Sequence, residues 1–372
     1  MKKRSASITT TTTTSSSSSS ASTAPILGLD VGDRTTHFCV LQGDQVIERG
    51  SFPTTLEQVV AAAKRFASAR VVLEAGSQSP WMSSALRCLG LSVHVVDPRR
   101  IKLISSDPRK TDRRDAETLA RLERGVPELL GDIHHRGEQA QHDLALLRSR
   151  EKLVDCRTSL VLLVRSICKA SGVRLKSTST EAFPKRVREE IPDGLRQSLD
   201  VVVDQIAAIT KSIDELEKRL AEVADTRYPE VALLQQVPGV GPITATTFVL
   251  TIEDPSRFKD SRQVGSYLGL APRCKSSGDS NPQLPISKSG DKALRRLLVQ
   301  CAHHVLGRFG PDSDLRRFGL RIAPDSRNKT AKKKAVVAVA RKLAVLLRRL
   351  WSRGLEYEPL HAANRRAKAV AS

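Results

Sequence analysis

The chain is poor in aromatic residues: Phe, Tyr and Trp together make up 3% of its 372 positions. So few rings argue against binding single strands by stacking base after base on aromatic platforms. No run of about 18 consecutive apolar residues occurs, which excludes a bilayer-spanning helix. The six cysteines, at positions 39, 88, 156, 168, 274 and 301, include no Cys-x-x-Cys pair. A zinc ribbon is therefore excluded, and a chain this long needs no disulfide framework; buried, reduced thiols in a cytoplasmic protein are the plain reading. His134-His135 and His303-His304 lack accompanying carboxylate or cysteine spacing and receive no metal role. Negative charge is scarce as well: 40 Asp and Glu face 61 Lys and Arg, a net charge of +21. A protein this basic binds a polyanion, most commonly nucleic acid. With few rings available, phosphate contacts carry the affinity and make it steeply salt-dependent.

What is present divides the chain into regions. Hydrophobic residues at 40% suffice for two or three domain cores. Residues 1–24 open on Lys2-Lys3-Arg4 without an apolar stretch to follow, and continue as runs of Thr and Ser. Such a tract cannot offset its chain entropy by burial, so it reads as a disordered tail. Residues 25–130 read as an α/β domain with a mixed sheet. Ile26–Asp30, Phe38–Leu41 and Gln45–Glu48 form the first strands, with a turn at Gly43-Asp44. A helix over Thr55–Ala69, capped by Thr54 or Thr55, leads to a strand ending in Glu74. A helix over Trp81–Leu89 and a strand over Val93–Asp97 follow. The order of a hairpin and then crossovers predicts helices packed on a mixed sheet.

Residues 131–230 change period. Leu146, Leu153, Leu160 and Ile167 recur every seven residues, flanked by Leu147, Val154, Val161 and Cys168. Ile206, Ile213 and Leu220 alternate with Val202, Ile209, Leu216 and Val223, an a/d seam. Two long coiled-coil helices are expected, folded back on each other or paired with another copy. Residues 231–355 read as mainly helical, with a glycine-rich turn at Val237–Pro242, a polar stretch over Lys275–Asn281 and helices over Lys292–Leu306 and Ala331–Trp351. Residues 356–372 form a basic tail. Between Gly319 and Ser372 stand 14 Lys or Arg and three Asp or Glu, so the positive excess sits at that end.

Four acids could carry chemistry: Asp30, Glu74, Asp112 and Asp115. Asp30 and Glu74 each end a strand, which brings them to one sheet edge if the strands are neighbours. Asp112 and Asp115, three residues apart at a helix start, share a helix face. Four clustered carboxylates need cations to stay ionised, and hard divalent ions take oxygen ligands. Two Mg²⁺ (or Mn²⁺) ions about 3.5–4 Å apart would clamp the attacking and leaving oxygens of a phosphodiester. The plainer readings are turn residues and a helix-dipole charge, and Asp30–Thr35 also suits a phosphate-binding hairpin of an actin-like sugar kinase.

The sequence resembles the transposases of the insertion sequence 110 family, whose relatives include Piv-type DNA invertases. The resemblance rests on Leu27–Gly32, Val72–Ser77, Lys110–Ala116, Val237–Pro242, Tyr267–Pro272, and Ser277-Gly278 with Ile286–Lys288, in order from residue 26 to about 350. It implies an RNase H-like (RuvC-type) N-terminal domain whose Asp-Glu-Asp-Asp tetrad corresponds to Asp30, Glu74, Asp112 and Asp115. A coiled-coil insertion for assembly and a helical C-terminal transposase domain with a helix-hairpin-helix-like turn would follow. That domain would supply a nucleophilic serine, Ser277, with Ser276 and Ser287 as alternatives. The implied function is an RNA-guided transposase or recombinase. It would cleave and rejoin donor and target DNA through a 5′-phosphoserine link with metal-ion assistance, guided by a noncoding bridge RNA. It would act as a homo-oligomer (dimer or tetramer), cytoplasmic and nucleoid-associated, with no membrane role. Read from residues alone, the Ser/Gly stretch is a solvated loop. Lys110, Arg113, Arg114, Lys275, Lys288, Arg295 and Arg296 are candidates for holding nucleic-acid phosphates. A structure-selective endonuclease using water, or a non-catalytic nucleic-acid-binding protein, are the alternatives.

Overall fold

A computed structural model describes residues 24–104, 112–275, 282, 284–324, 327–361 and 364; the side chains of 102–104, 112 and 113 lie outside that description. The chain divides into two compact units, residues 1–136 and 137–372. Most of the expected N-terminal tail, and of the basic C-terminal one, falls outside the described residues.

The first unit is built on five strands. β1 (Ile26–Val31), β2 (Thr35–Gln42) and β3 (Gln45–Pro53) form an antiparallel meander, and the β2–β3 turn rests on Gly43 with φ +59°. α1 (Leu56–Arg65) starts at Thr55, whose hydroxyl accepts from the Gln58 amide and so caps an orphan N–H. β4 (Arg70–Glu74), α2 (Ser79–Cys88) and β5 (Val93–Val96) complete the sheet. The strand order is β3-β2-β1-β4-β5, with β4 parallel to both β1 and β5. The mixed sheet expected from the element order is thus the sheet observed. Then come α3 (Pro98–Ile104), α4 (Asp112–Gly125) and α5 (Pro127–Leu130). Strand side chains alternate, so the sheet has two faces. Leu27, Leu29, Val71 and Leu73 pack with Val59, Ala63, Met82 and Leu86 of α1 and α2. Ile26, Cys39 and Val72 pack with Ala116, Leu119 and Ala120 of α4 on the other face.

The second unit opens with α6 (Glu138–Ala170), a short α7 (Phe183–Val187) and α8 (Asp193–Arg227). α6 and α8 fold back on each other as an antiparallel pair: Asp143 meets Arg227, Arg150 meets Glu217, Arg157 meets Thr210, and Val164 packs near Leu199 and Val203. The seam matches the one the heptads suggested only in part, through Ile206, Ile213 and Leu220. On α8 the buried line is Leu199, Val203, Ile206, Ile213, Leu220 and Ala224, whereas Val202, Ile209, Leu216 and Val223 are half-buried. On α6, Leu147, Val164 and Cys168 are buried, and Leu146, Leu153, Leu160 and Ile167 are only partly covered. Each helix carries two apolar stripes of the same period, one residue apart on α6 and three or four apart on α8. Only packing decides which one becomes the core.

Beyond α8 lie α9 (Glu230–Gln235), α10 (Pro242–Ile252), α11 (Gln263–Tyr267), α12 (Lys292–Leu306), α13 (Asp314–Ile322) and α14 (Lys329–Arg353). α9 and α10 flank the expected glycine-rich turn, where Gly239 has φ +87°. α10 is buried from Thr244 to Ile252, and α14 contributes Val339, Ala340, Leu343, Ala344 and Leu347 to the same core. α13 was not foreseen. Leu315 and Gly319 are its buried residues, so its apolar pattern in the sequence is faint. Ser313 caps it by accepting from the Arg316 amide.

Candidate active site

Asp30 and Glu74 come together through backbone register. The β1–β4 ladder pairs Ile26 with Arg70 and Leu29 with Leu73, so the next step sets Asp30 beside Glu74. Neighbouring strands lie about 4.8 Å apart, and both acids are half-buried at the carboxyl ends of their strands. Alternation from Val72 places them on the sheet face that α4 covers.

The direction of α4 is fixed at two points. Near its end, Glu123 is 2% exposed; its Oε1 lies 3.0 Å from Arg70 Nε, and its Oε2 lies 2.6 Å from His94 Nδ1. Arg70 is the first residue of β4, so the end of α4 lies over the start of the parallel strands. Midway, α4 crosses β1 at Gly28, where a Cβ would meet the Ala116 carbonyl oxygen at 2.2 Å and the Ala120 Cβ at 2.9 Å. Only glycine lets the helix approach so closely. α4 therefore runs against β1 and β4, and its first turn, with Asp112 and the half-buried Asp115, heads toward the end that carries Asp30 and Glu74. Glu117 ties the same helix to β3 through Arg49 at 2.5 Å, and bonds Arg121 at 2.8 Å within the helix. Burial raises the Glu117 pKa, but the hydrogen bonds and charges of Arg121 and Arg49 outweigh it and hold the carboxyl below its ordinary value.

As donors, Asp30 and Glu74 suit a hard divalent cation: both offer oxygen, and both sit on one sheet face at the ends of neighbouring strands. Among the described residues no group of three or more His, Cys, Asp or Glu is close enough to hold a metal ion, and the Asp112 side chain lies outside them. Sequence reasoning missed three residues of this neighbourhood: Gly28, Glu123 and His37. His37 pairs directly with Asp30 across the β1–β2 ladder, so its side chain shares that face. Counting outward from the Gly32–Thr35 turn, closed by Gly32 N–H donating to the Thr35 carbonyl at 3.1 Å, would have found it.

The remaining candidates are scattered. Lys110, Ser276 and Ser277 lie outside the described residues, and so does the Arg113 side chain. Arg114 is exposed on α4, and Lys275 is exposed next to the undescribed stretch. Ser287 is exposed, with its hydroxyl 2.8 Å from that of Ser289. Lys288 is exposed and has φ +57°, a left-handed conformation unusual for a side chain of its size. Arg296 reaches Glu151 at 2.9 Å and Asp155 at 3.4 Å on α6. Arg295 turns inward instead: its Nη1 donates to the backbone carbonyls of Leu268 and Ser289.

Comparison with known proteins adds to this geometry. Residues 231–317 match the family model described as "Transposase IS116/IS110/IS902 family", and residues 27–170 match a second, named for DEDD transposases of the IS110 type. The transposase for insertion sequence element IS1111A of Coxiella burnetii is 26% identical over 347 residues, 89% of this chain and 91% of that protein. The transposase for insertion sequence element IS1328 of Yersinia enterocolitica is 27% identical, over 76% of this chain and 84% of that protein. The pilin gene-inverting protein of Moraxella bovis is 33% identical over 64% of each chain. An overlap with the Thermus thermophilus RuvC structure spans 26% of this chain at 16% identity, with a TM-score of 0.21, and adds nothing to what the strand order already says.

Proposed function

This chain belongs to the IS116/IS110/IS902 transposase family, and from that premise we propose that it cleaves and rejoins DNA strands with Asp30, Glu74, Asp112, Asp115 and Ser277 as its catalytic groups. The observation that carries the proposal is the register of β1 and β4, which sets two carboxylates side by side at strand ends beneath the helix bearing the other two. Mg²⁺ or Mn²⁺, held by these four side chains, would supply positive charge to the pentavalent transition state of a phosphodiester.

The chain's own groups perform the remaining steps. The Ser277 hydroxyl attacks a DNA phosphorus, the Oγ–P bond forms, and the P–O3′ bond breaks. The serine proton leaves to solvent and the departing 3′ oxygen takes one up, leaving a 5′-phosphoserine and a free 3′-hydroxyl. Rejoining reverses this: a 3′-hydroxyl from the exchanged strand attacks the phosphoserine and releases Ser277. Lys110, Arg113, Arg114, Lys275, Lys288 and Arg296 hold phosphates, in keeping with a net charge of +21. An RNase H-like reading of the sheet, guidance by a noncoding bridge RNA, and assembly as a homo-oligomer through the α6–α8 pair complete the proposal.

The test is to trap a covalent protein–DNA adduct and map its attachment. A Ser277→Ala variant should lose the adduct and all strand exchange. If it still cuts DNA, water is the nucleophile and the protein is a nuclease. If Asp30→Asn leaves every activity in place, the carboxylates are not catalytic.

A further inference from the structure

The residues on either side of the polar segment that contains Ser277 are joined by backbone hydrogen bonds. Arg273 N–H donates to the Pro285 carbonyl at 3.0 Å, Ser287 N–H to Ala271 at 2.9 Å, and Lys288 N–H to Gly269 at 3.1 Å. Pro272 and Ile286 form a bridge between these bonds. Residues 269–273 and 285–288 are thus two short antiparallel rails. The rails end in turns of unusual backbone: Gly269, Lys288 and Gly290 have φ of +68°, +57° and +75°. A Cβ on Gly269 would lie 2.1 Å from the Ser289 carbonyl oxygen, and one on Gly290 would lie 2.0 Å from that of Tyr267. The two turns therefore touch backbone to backbone.

Arg295 sits where they touch. It is half-buried in the first turns of α12, and its Nη1 lies 3.0 Å from the Leu268 carbonyl, 2.8 Å from that of Ser289 and 3.5 Å from that of Asp291. Leu268 precedes one rail and Ser289 follows the other, so one guanidinium nitrogen ties both ends of the segment to α12. α12 itself is firmly seated: Asp291 caps it by accepting from the Leu294 amide at 2.8 Å, and Leu294, Leu298 and Ala302 are in the core. A planar guanidinium holds its donors in fixed directions, whereas a lysine ammonium turns its three donors on a flexible stem.

We propose that Arg295 is a positioning residue, a clasp that holds together the two rails flanking the segment between residues 273 and 285, and not one of the DNA-phosphate contacts. Its consequence for Ser277 rests on the phosphoserine reading above. A misplacement of about 1 Å at a reacting atom costs on the order of 10²-fold in rate, so loosening the clasp should act on chemistry more than on binding.

The experiment compares full-length wild type, Arg295→Lys and Arg295→Ala, with Lys292→Ala, an exposed cation of the same helix, as the control. Three quantities are read: the salt dependence of duplex DNA affinity, the yield of serine–DNA adduct at saturating DNA, and the rate of tryptic cutting at Arg273 and Lys275. Arg295→Lys keeps its charge. It should keep the wild-type salt slope while losing about tenfold or more in adduct yield, and it should be cut faster at those two sites. Arg295→Ala should share both defects. The proposal is overturned if Arg295→Lys behaves as wild type in adduct yield and cutting. It is equally overturned if Arg295→Ala lowers the salt slope by about one with adduct yield at saturation unchanged. Should wild type form no adduct, the phosphoserine reading fails, and faster tryptic cutting of both variants still decides for the clasp, unchanged cutting against it.

Discussion

The two units of this chain position their polar groups by different means. In the first, a backbone ladder does the work: the β1–β4 register puts Asp30 level with Glu74, and a glycine lets α4 close over them. In the second, a side chain and three left-handed residues gather loops that share no long ladder. A ladder is specified by every residue along it, so single substitutions on its polar end change chemistry without changing shape. A clasp concentrates the positioning in one group, and losing that group changes geometry.

The largest effects that would sharpen this contrast fall on the acids. Asp30→Asn or Glu74→Gln should lower strand cleavage by about 10³-fold or more, while thermal unfolding shifts by no more than a few degrees. Cleavage assays and calorimetry on the same preparations check both halves. Loss of fold alongside loss of activity would break the claim that the ladder, not the carboxylate, holds the shape. Next comes Gly28→Val. The added side chain must displace the Ala116 carbonyl, with a cost of about 3 kcal/mol or more in denaturant unfolding and a loss of cleavage that added Mg²⁺ does not restore.

In the second unit, the two apolar stripes of α8 allow an internal test. Ile206→Ala removes a fully buried side chain and should cost about 2–5 kcal/mol. Ile209→Ala, three residues away on the half-buried stripe, should cost less than half as much. Equal costs would mean that the stripe is covered, and sedimentation would show whether a second copy covers it.

The smallest effect is one of pH. His135 lies 2.8 Å from the buried Ser79 hydroxyl. Burial, then the charges of Arg87, His134 and Arg136, hold its imidazole below the ordinary 6.5. A histidine whose pKa falls on folding contributes nothing at high pH, where both states are neutral. It destabilises the fold as pH drops below 6.5 and through the lowered folded value. Melting temperature should therefore fall between pH 7 and 5, and the fall should shrink in His135→Gln.

Much of the first unit is legible in the sequence. Strands with alternating burial, a Thr55 cap and acids at strand ends are written in local pattern, and the ladder merely aligns them. Gly28, Glu123 and His37 were not legible, because each matters for what approaches it from a distant part of the chain. The heptads of α6 and α8 announced two helices and an antiparallel option, yet named the half-buried stripe as part of the seam. The two stripes of each helix have the same period, and periodicity alone cannot rank them. Arg295 read as a surface cation beside Arg296, since neighbours in a helix point about 100° apart and the sequence does not say which one faces inward.

Amino-acid order alone determined the basic charge, the sheet-then-helix organisation, the family and the four candidate acids, because these follow from composition, period and short motifs. The tertiary structure decided which acids become neighbours, which stripe is core and which arginine is bound to backbone. Those outcomes depend on contacts between residues far apart in the chain, whose energies no local window contains.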